Sequence, residues 1–382
     1  MTSGSRIPYG RLAAFYFFYF ASLGALLPYW GLYLRDLGLD ATRIGLVLAL
    51  LSATKVLAPN MLGWIADHTG RPLVWVRLAC LLAFVLFLPM LWEQRYLGIL
   101  AVTLAFGVFW SAALSQFEAV TLVHLQQAVD RYSWIRLWGS VGFIVAVLGL
   151  GNALDHVGAW GLPWVVTGLL LMIWLTTLSV PEIAGRSSRS GDHVSWGKIL
   201  WHPPMLAFLL AVFLIQAAHA PYYVFYSIYL SEKGYSGLVT GGLWTLGVLA
   251  EILLFLIFPW LRRFFSLKGL WLIGILLGAV RWLAIGFFAN DLMILATAQL
   301  LHAATFAINH AVAIQYIRQS FGIRHLGKGQ ALYSSLSFGL GGMVGSWVSG
   351  LVWHGLGPQW VFGGAAVLSL FAMLVAIAVR VR

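Results

Sequence analysis

Apolar residues run along this chain in long stretches broken by short clusters of Gly, Pro, Asn and charged residues. A helix needs about 20 apolar residues to cross the hydrocarbon core of a bilayer. The breaks predict twelve such helices, near residues 11 to 34, 43 to 66, 73 to 92, 97 to 124, 134 to 154, 161 to 180, 205 to 230, 240 to 261, 270 to 289, 292 to 317, 330 to 353 and 359 to 379. The first run is too long for a signal-peptide core and no small-residue cleavage site follows it, so it is read as a retained span. The expected fold class is an all-α membrane protein.

Composition sharpens that picture. Of 382 residues, 61% are hydrophobic and 9% charged, whereas soluble domains are about 45–50% apolar. A soluble globular fold is excluded, and the short connections leave no room for a sizeable soluble domain. The 19 Trp and 24 Phe suit spans with interfacial anchors. The single cysteine, Cys80, allows neither an intrachain disulfide nor a cysteine-based metal cage. A net charge of +11 would attract phosphate, but the basic residues are dispersed at helix ends. They point to a lipid bilayer and not to nucleic acid.

With the N-terminus inside, sixteen Lys and Arg fall on cytoplasmic segments, and only Arg35, Arg43, Arg95 and Lys233 fall outside. This positive-inside bias puts both termini in the cytoplasm, and the expected location is a bacterial inner membrane. Residues 181–204, rich in Gly and Ser, read as a cytoplasmic linker. It separates a six-helix half at 1–180 from a second at 205–382. At an offset of 196, Tyr33-Leu34 pairs with Tyr229-Leu230 and Gly38 with Gly234. Two parallel repeats around a central site are a recurrent transporter plan, so a pathway between the halves is expected.

Between the second and third spans, Gly63, Asp67, Gly70 and Arg71 stand at the spacing G-x-x-x-D-x-x-G-R. This stretch resembles the signature of the major facilitator superfamily. Glycines permit a tight turn there, and Asp67 is expected to accept from helix N-termini or to pair with Arg71. A closer resemblance covers nearly the whole chain. The stretches around Arg136 (Arg136 to Phe143), Gln216 (Gln216 to Tyr223), Glu251 (Leu246 to Glu251) and Arg281-Trp282 look like the 3-phenylpropionate transporter family. That family is in turn similar to the lactose permease type of proton symporter. The resemblance implies substrate contacts at Glu118 and Arg136, and matches Glu251, Arg281 and His302 to the permease's charged residues. The second acidic residue of that pattern on the tenth span is Thr305 here.

Five charged residues interrupt apolar spans: Lys55, Glu118, Arg136, Glu251 and Arg281. Each costs about 2.5–3.5 kcal/mol at a helix centre on insertion scales, so each is expected to face the bundle interior. On a helix, Gln299, His302, Phe306, Asn309 and His310 share one face, and Gln216, His219, Tyr223, Tyr226 and Ser227 share another beside Pro221. Ser111 and Ser115 align with Glu118. Polar faces on spans 4, 7 and 10 are expected to wall one cavity, with Phe15, Tyr16, Tyr19, Tyr29, Tyr222, Tyr223, Tyr226 and Phe306 as aromatic lining. Candidate substrate contacts are Glu118, Arg136, Arg281, Lys55, Gln216, Tyr223 and Asn309. Candidate proton carriers are Glu118, Glu251, His219, His302 and His310, because histidine titrates near neutrality.

Gly322 to Gly329 nearly spells a phosphate loop, but Gly329 stands where a Ser or Thr should reach magnesium, so it reads as a basic turn. Protease H-E-x-x-H and hydrolase G-x-S-x-G patterns are absent from the chain. The resulting expectation is a proton-coupled symporter of a small organic solute, by resemblance an aromatic monocarboxylate such as 3-phenylpropionate, with a sugar as the alternative. An intramembrane enzyme and a transport-inactive sensor are the rivals. No cofactor is expected apart from the coupling proton, no metal, and no obligatory protein partner.

Overall fold

The computed structural model describes residues 7–126, 128, 131–182, 201–322 and 325–379. Most of the expected linker, and Arg6, Arg186, Arg189, Lys198, Arg324, Arg380 and Arg382 of the positive-inside count, lie outside the described residues. So do residues 323 and 324 of the glycine-rich turn.

Twelve helices long and apolar enough to cross a membrane are present among the described residues. They are α1 (Tyr9–Asp36), α2 (Ala41–Thr69), α3 (Pro72–Leu91), α4 (Tyr96–Leu125), α5 (Tyr132–Val157), α6 (Ala159–Ser179), α7 (Pro203–Glu232), α8 (Gly237–Phe264), α9 (Leu267–Phe287), α10 (Leu292–Phe321), α11 (Leu326–Leu356) and α12 (Pro358–Ile377). Helices dominate for a solvent reason: lipid offers no partner for N–H and C=O groups, so each span must satisfy its own backbone. The connections use ordinary stop and start signals. Gly38, Gly70, Gly158, Gly234, Gly322 and Gly357 all have positive φ, and the side chains of Ser236, Ser266 and Asp291 cap α8, α9 and α10.

The helices pack as two units. One contains α1 to Tyr33, α2 from Leu57, and α3 to α6; the other contains Leu34–Val56 and α7 to α12. The first half of α2 therefore belongs with the second unit. Pro59 lies inside α2 just past the division, and a proline there withdraws the N–H that would bond the carbonyl of Lys55. In the first unit α3 packs on α4 and α6, and rings of Phe15 and Phe117 stack 3.6 Å apart between α1 and α4. In the second, α12 packs against α9 and α7, and α7 against α11. Its core includes Phe208, Trp271, Val312 and Tyr316.

Among lipid tails there is little hydrophobic force between helices, so close van der Waals fit and small residues do that work. Gly345 of α11 is the clearest case: a Cβ there would stand 2.7 Å from Ala220 Cβ and 2.8 Å from Ala217 Cα on α7. Gly345→Leu should destabilise the second unit by about 1–3 kcal/mol, the usual cost of overpacking. It would register as a lower midpoint in thermal unfolding of the detergent-purified protein. An unchanged midpoint would mean that α7 and α11 can separate without loss.

Candidate functional site

The charged residues of the spans fall into two groups. In the first unit, Glu118 of α4 pairs with Arg136 of α5 at 3.7 Å, each side chain about one-third exposed. Arg136 stands in the second turn of α5, and its guanidinium lies 3.8 Å above the ring of Phe20 and 5.6 Å from that of Tyr16. Both belong to α1. Phe20 was not among the residues expected from sequence; nothing distinguishes it from its aromatic neighbours until α1 is packed against α5. Ser111 and Ser115 share the face of Glu118 but donate back to the carbonyls of Val108 and Ala112.

In the second unit, Glu251 of α8 meets His302 of α10 with Oε1 and Nε2 only 2.5 Å apart. One proton serves this bond, whichever partner holds it, and both side chains are largely buried. Beside it Arg281 of α9 is fully buried. Its Nε donates to Ala298 O at 3.0 Å, Nη1 to Thr305 Oγ1 at 3.2 Å and Nη2 to Gln299 Oε1 at 3.4 Å. Tyr222 donates to the same Gln299 oxygen at 3.0 Å, which orients that amide. The guanidinium also lies 4.3 Å from the Tyr222 ring and 4.6 Å from the Trp282 ring, a favourable cation–π setting away from water. Among the described residues Arg281 makes no ion pair with a carboxylate. Thr305, where the permease pattern has an acid, supplies a neutral oxygen to this cation.

The polar stripe expected on α10 is continuous: His302 stacks on Phe306 at 5.7 Å and Phe306 on His310 at 6.1 Å. A π-helical turn, Ala303–Ile308, interrupts the helix and adds a residue to the turn. Gln299 and His302 face Arg281 and Glu251, and Phe306, Asn309 and His310 line a small adjoining cavity with Gln216 and His219 of α7. A third wall of this cavity is α11, through Tyr333, Ser337 and Phe338. These α11 residues were missed in the sequence; the serine-rich stretch from Ser334 to Ser337 inside an apolar span was the available signal. His310 Nδ1 lies 3.3 Å from the Tyr333 hydroxyl. His219 Nδ1 bonds Ile215 O at 2.8 Å, and its ring stacks 6.2 Å from Tyr223. Trp244, also missed, packs 4.4 Å from Tyr222 and donates to Ser227.

Lys55 is in the stretch of α2 that packs with the second unit, and makes no ion pair among the described residues. In the loop signature, Gly70 has φ +66, where only glycine is unstrained. A Cβ at Gly63 would stand 2.9 Å from Gln116 Nε2 of α4. Of the two roles expected for Asp67, pairing with Arg71 is not seen among the described residues; Asp67 is in the last turn of α2 and Arg71 precedes α3. Among the described residues no three His, Cys, Asp or Glu side chains gather to hold a metal ion.

Comparison with known proteins agrees with this architecture. A family model described as MFS_1 like family matches residues 9–363. The chain is 31% identical over 372 residues to the probable 3-phenylpropionic acid transporter of Escherichia coli (strain K12), covering 94% of this chain and 96% of that protein. It is 26% identical over 382 residues to the maltose permease of Geobacillus stearothermophilus, covering 96% and 92%. The crystal structure of the nucleoside transporter NupG superposes with a TM-score of 0.81 at 18% identity, over 97% of this chain and 98% of that one. Those relatives are membrane transporters and not enzymes, and the twelve helices fit a multi-pass membrane protein. The chain belongs to the MFS_1 like family and is a membrane transporter with the major facilitator fold.

Proposed function

We propose that this transporter carries an aromatic monocarboxylate, such as 3-phenylpropionate, together with a proton by alternating access across a bacterial inner membrane, with both termini in the cytoplasm. The observation that carries this reading is Arg281, a buried cation held over Tyr222 and Trp282 by neutral oxygens, next to the Glu251–His302 pair. Mid-span in the second unit there are two cations, Lys55 and Arg281, and one carboxylate, Glu251. When Glu251 takes a proton, its counter-charge is lost and the positive excess grows. An anion entering with that proton restores the balance, because a guanidinium offers a carboxylate two parallel N–H donors. Proton and anion then favour each other's binding, which is the requirement for symport. The similarity to a probable 3-phenylpropionic acid transporter adds support.

A sugar is the second reading, supported by the similarity to a maltose permease. Its hydroxyls would use Glu118, Arg136 and Asn309 and would make no demand on the charge of Arg281.

Purified protein in proteoliposomes should accumulate labelled 3-phenylpropionate when an inward proton gradient is imposed. A protonophore should abolish that accumulation. Uptake that persists in full with the protonophore present would overturn proton coupling and make sodium the next candidate.

A further inference from the structure

We propose that the cleft between α7, α10 and α11 receives the hydroxyl of a phenolic ring, so that the preferred substrate is a hydroxylated aryl carboxylate. This rests on the aromatic-acid reading and narrows it.

The starting point is an excess of acceptors. A backbone carbonyl can only accept, so the 2.8 Å bond to Ile215 O puts the proton of neutral His219 on Nδ1 and leaves Nε2 as a bare lone pair. On α10, Asn309 spends its Nδ2 on Thr305 O, leaving Oδ1 as an acceptor too. Both atoms are buried and neither has a hydrogen-bond donor among the described residues. His219 and Asn309 are 3% and 7% exposed, and both residues line the same cavity. A buried acceptor left unpaired costs about 1–3 kcal/mol, so a ligand group bringing O–H donors is favoured there over one without them.

The rest of the lining selects the body that carries the hydroxyl. Phe306 and Phe338 approach at 6.2 Å, and Tyr333 meets Phe338 edge-on at 5.6 Å. These are faces and edges suited to an aromatic ring. The cavity is small, with a volume of about 20 Å³. It takes a hydroxyl as it stands, and a ring once the phenylalanines part. Both phenylalanines sit on π-helical turns, Phe306 in Ala303–Ile308 and Phe338 in Ser335–Gly341, where the regular helical hydrogen-bond ladder is already interrupted. One hydroxyl serves one acceptor, and an adjacent pair serves both. A resident water offers the same O–H chemistry, so the test must separate the two sources.

Binding to the purified full-length protein is measured by calorimetry for three acids: 3-phenylpropionate, its 4-hydroxy analogue and its 3,4-dihydroxy analogue. Affinity should rise along the series, by about tenfold for the first hydroxyl. In Asn309→Leu, which removes an acceptor at similar volume, the ratio between hydroxylated and plain acids should shrink towards one. Asn309→Gln, which keeps both the amide donor and the acceptor, should retain a preference for the hydroxyl and serves as the folded control. Equal binding of all three acids by the parent would overturn the inference and assign the acceptors to water, leaving the aromatic-acid reading intact. No binding of any acid would overturn both. A hydroxyl preference unchanged in Asn309→Leu and in His219→Phe would place the selecting group elsewhere and also overturn the inference.

Discussion

A chain carrying Glu251→Gln should exchange solute across the membrane but fail to concentrate it. Glutamine keeps the size of the side chain and can still hydrogen-bond His302, but it cannot take up and release a proton. The 2.5 Å bond to His302 would become an ordinary amide contact, and the site would lose its switchable charge beside Arg281. Solute-loaded proteoliposomes should retain counterflow, which requires no net proton movement. Uphill accumulation under a proton gradient should fall by about tenfold or more, each tenfold corresponding to about 1.4 kcal/mol of lost driving force. Glu118→Gln provides the contrast. Its partner Arg136 stands at 3.7 Å, a looser contact than the 2.5 Å bond of Glu251 to His302. Its effect on accumulation should be smaller. Full accumulation by Glu251→Gln, at parental abundance, would sink the assignment of the coupling proton to this pair.

Arg281→Gln should erase the distinction between an acid and its amide. The parent should bind 3-phenylpropionate at least about tenfold more tightly than 3-phenylpropionamide, since a hydrogen bond to a charged group contributes about 1.5–3 kcal/mol. The variant removes the guanidinium and its three donor contacts to Ala298, Thr305 and Gln299. Affinity for the acid should fall and the acid-to-amide ratio should approach one. Arg281→Lys should restore little, because an ammonium lacks the planar two-point match and cannot reach Gln299 and Thr305 together in the same way. Thermal unfolding of each variant separates a folding defect from a binding one. Equal binding of acid and amide by the parent, or tight binding of a disaccharide, would favour the sugar reading.

These experiments concern a centre that was only partly visible along the chain. The span positions were legible: each expected boundary lies within a few residues of the observed helix, from α1 at Tyr9–Asp36 to α12 at Pro358–Ile377. Hydropathy is local, and a bilayer enforces it residue by residue. The tight turn at Gly70 was equally readable, because a backbone at φ +66 selects glycine whatever surrounds it. Buried charges announced themselves too, since Glu251 or Arg281 in the middle of an apolar span requires a protein-facing environment.

Which groups those charges meet was decided by packing. That Glu251 bonds His302, and that Arg281 is held by Thr305 and Gln299 in place of an acid, depends on the register of α8, α9 and α10 against one another. Sequence spacing carries no information about that register. A 3.6-residue period also does not anticipate the π-helical turn Ala303–Ile308 that interrupts α10. The same is true of α2, whose continuous apolar run is shared between two packing units at Val56 and Leu57, and of α11, whose Tyr333 and Phe338 join the cavity of His219 and Asn309. Solvent preference is written into each residue, so the sequence alone determined where the chain crosses the membrane. Pairing is a property of two surfaces, so only the tertiary structure decided which side chains make the site.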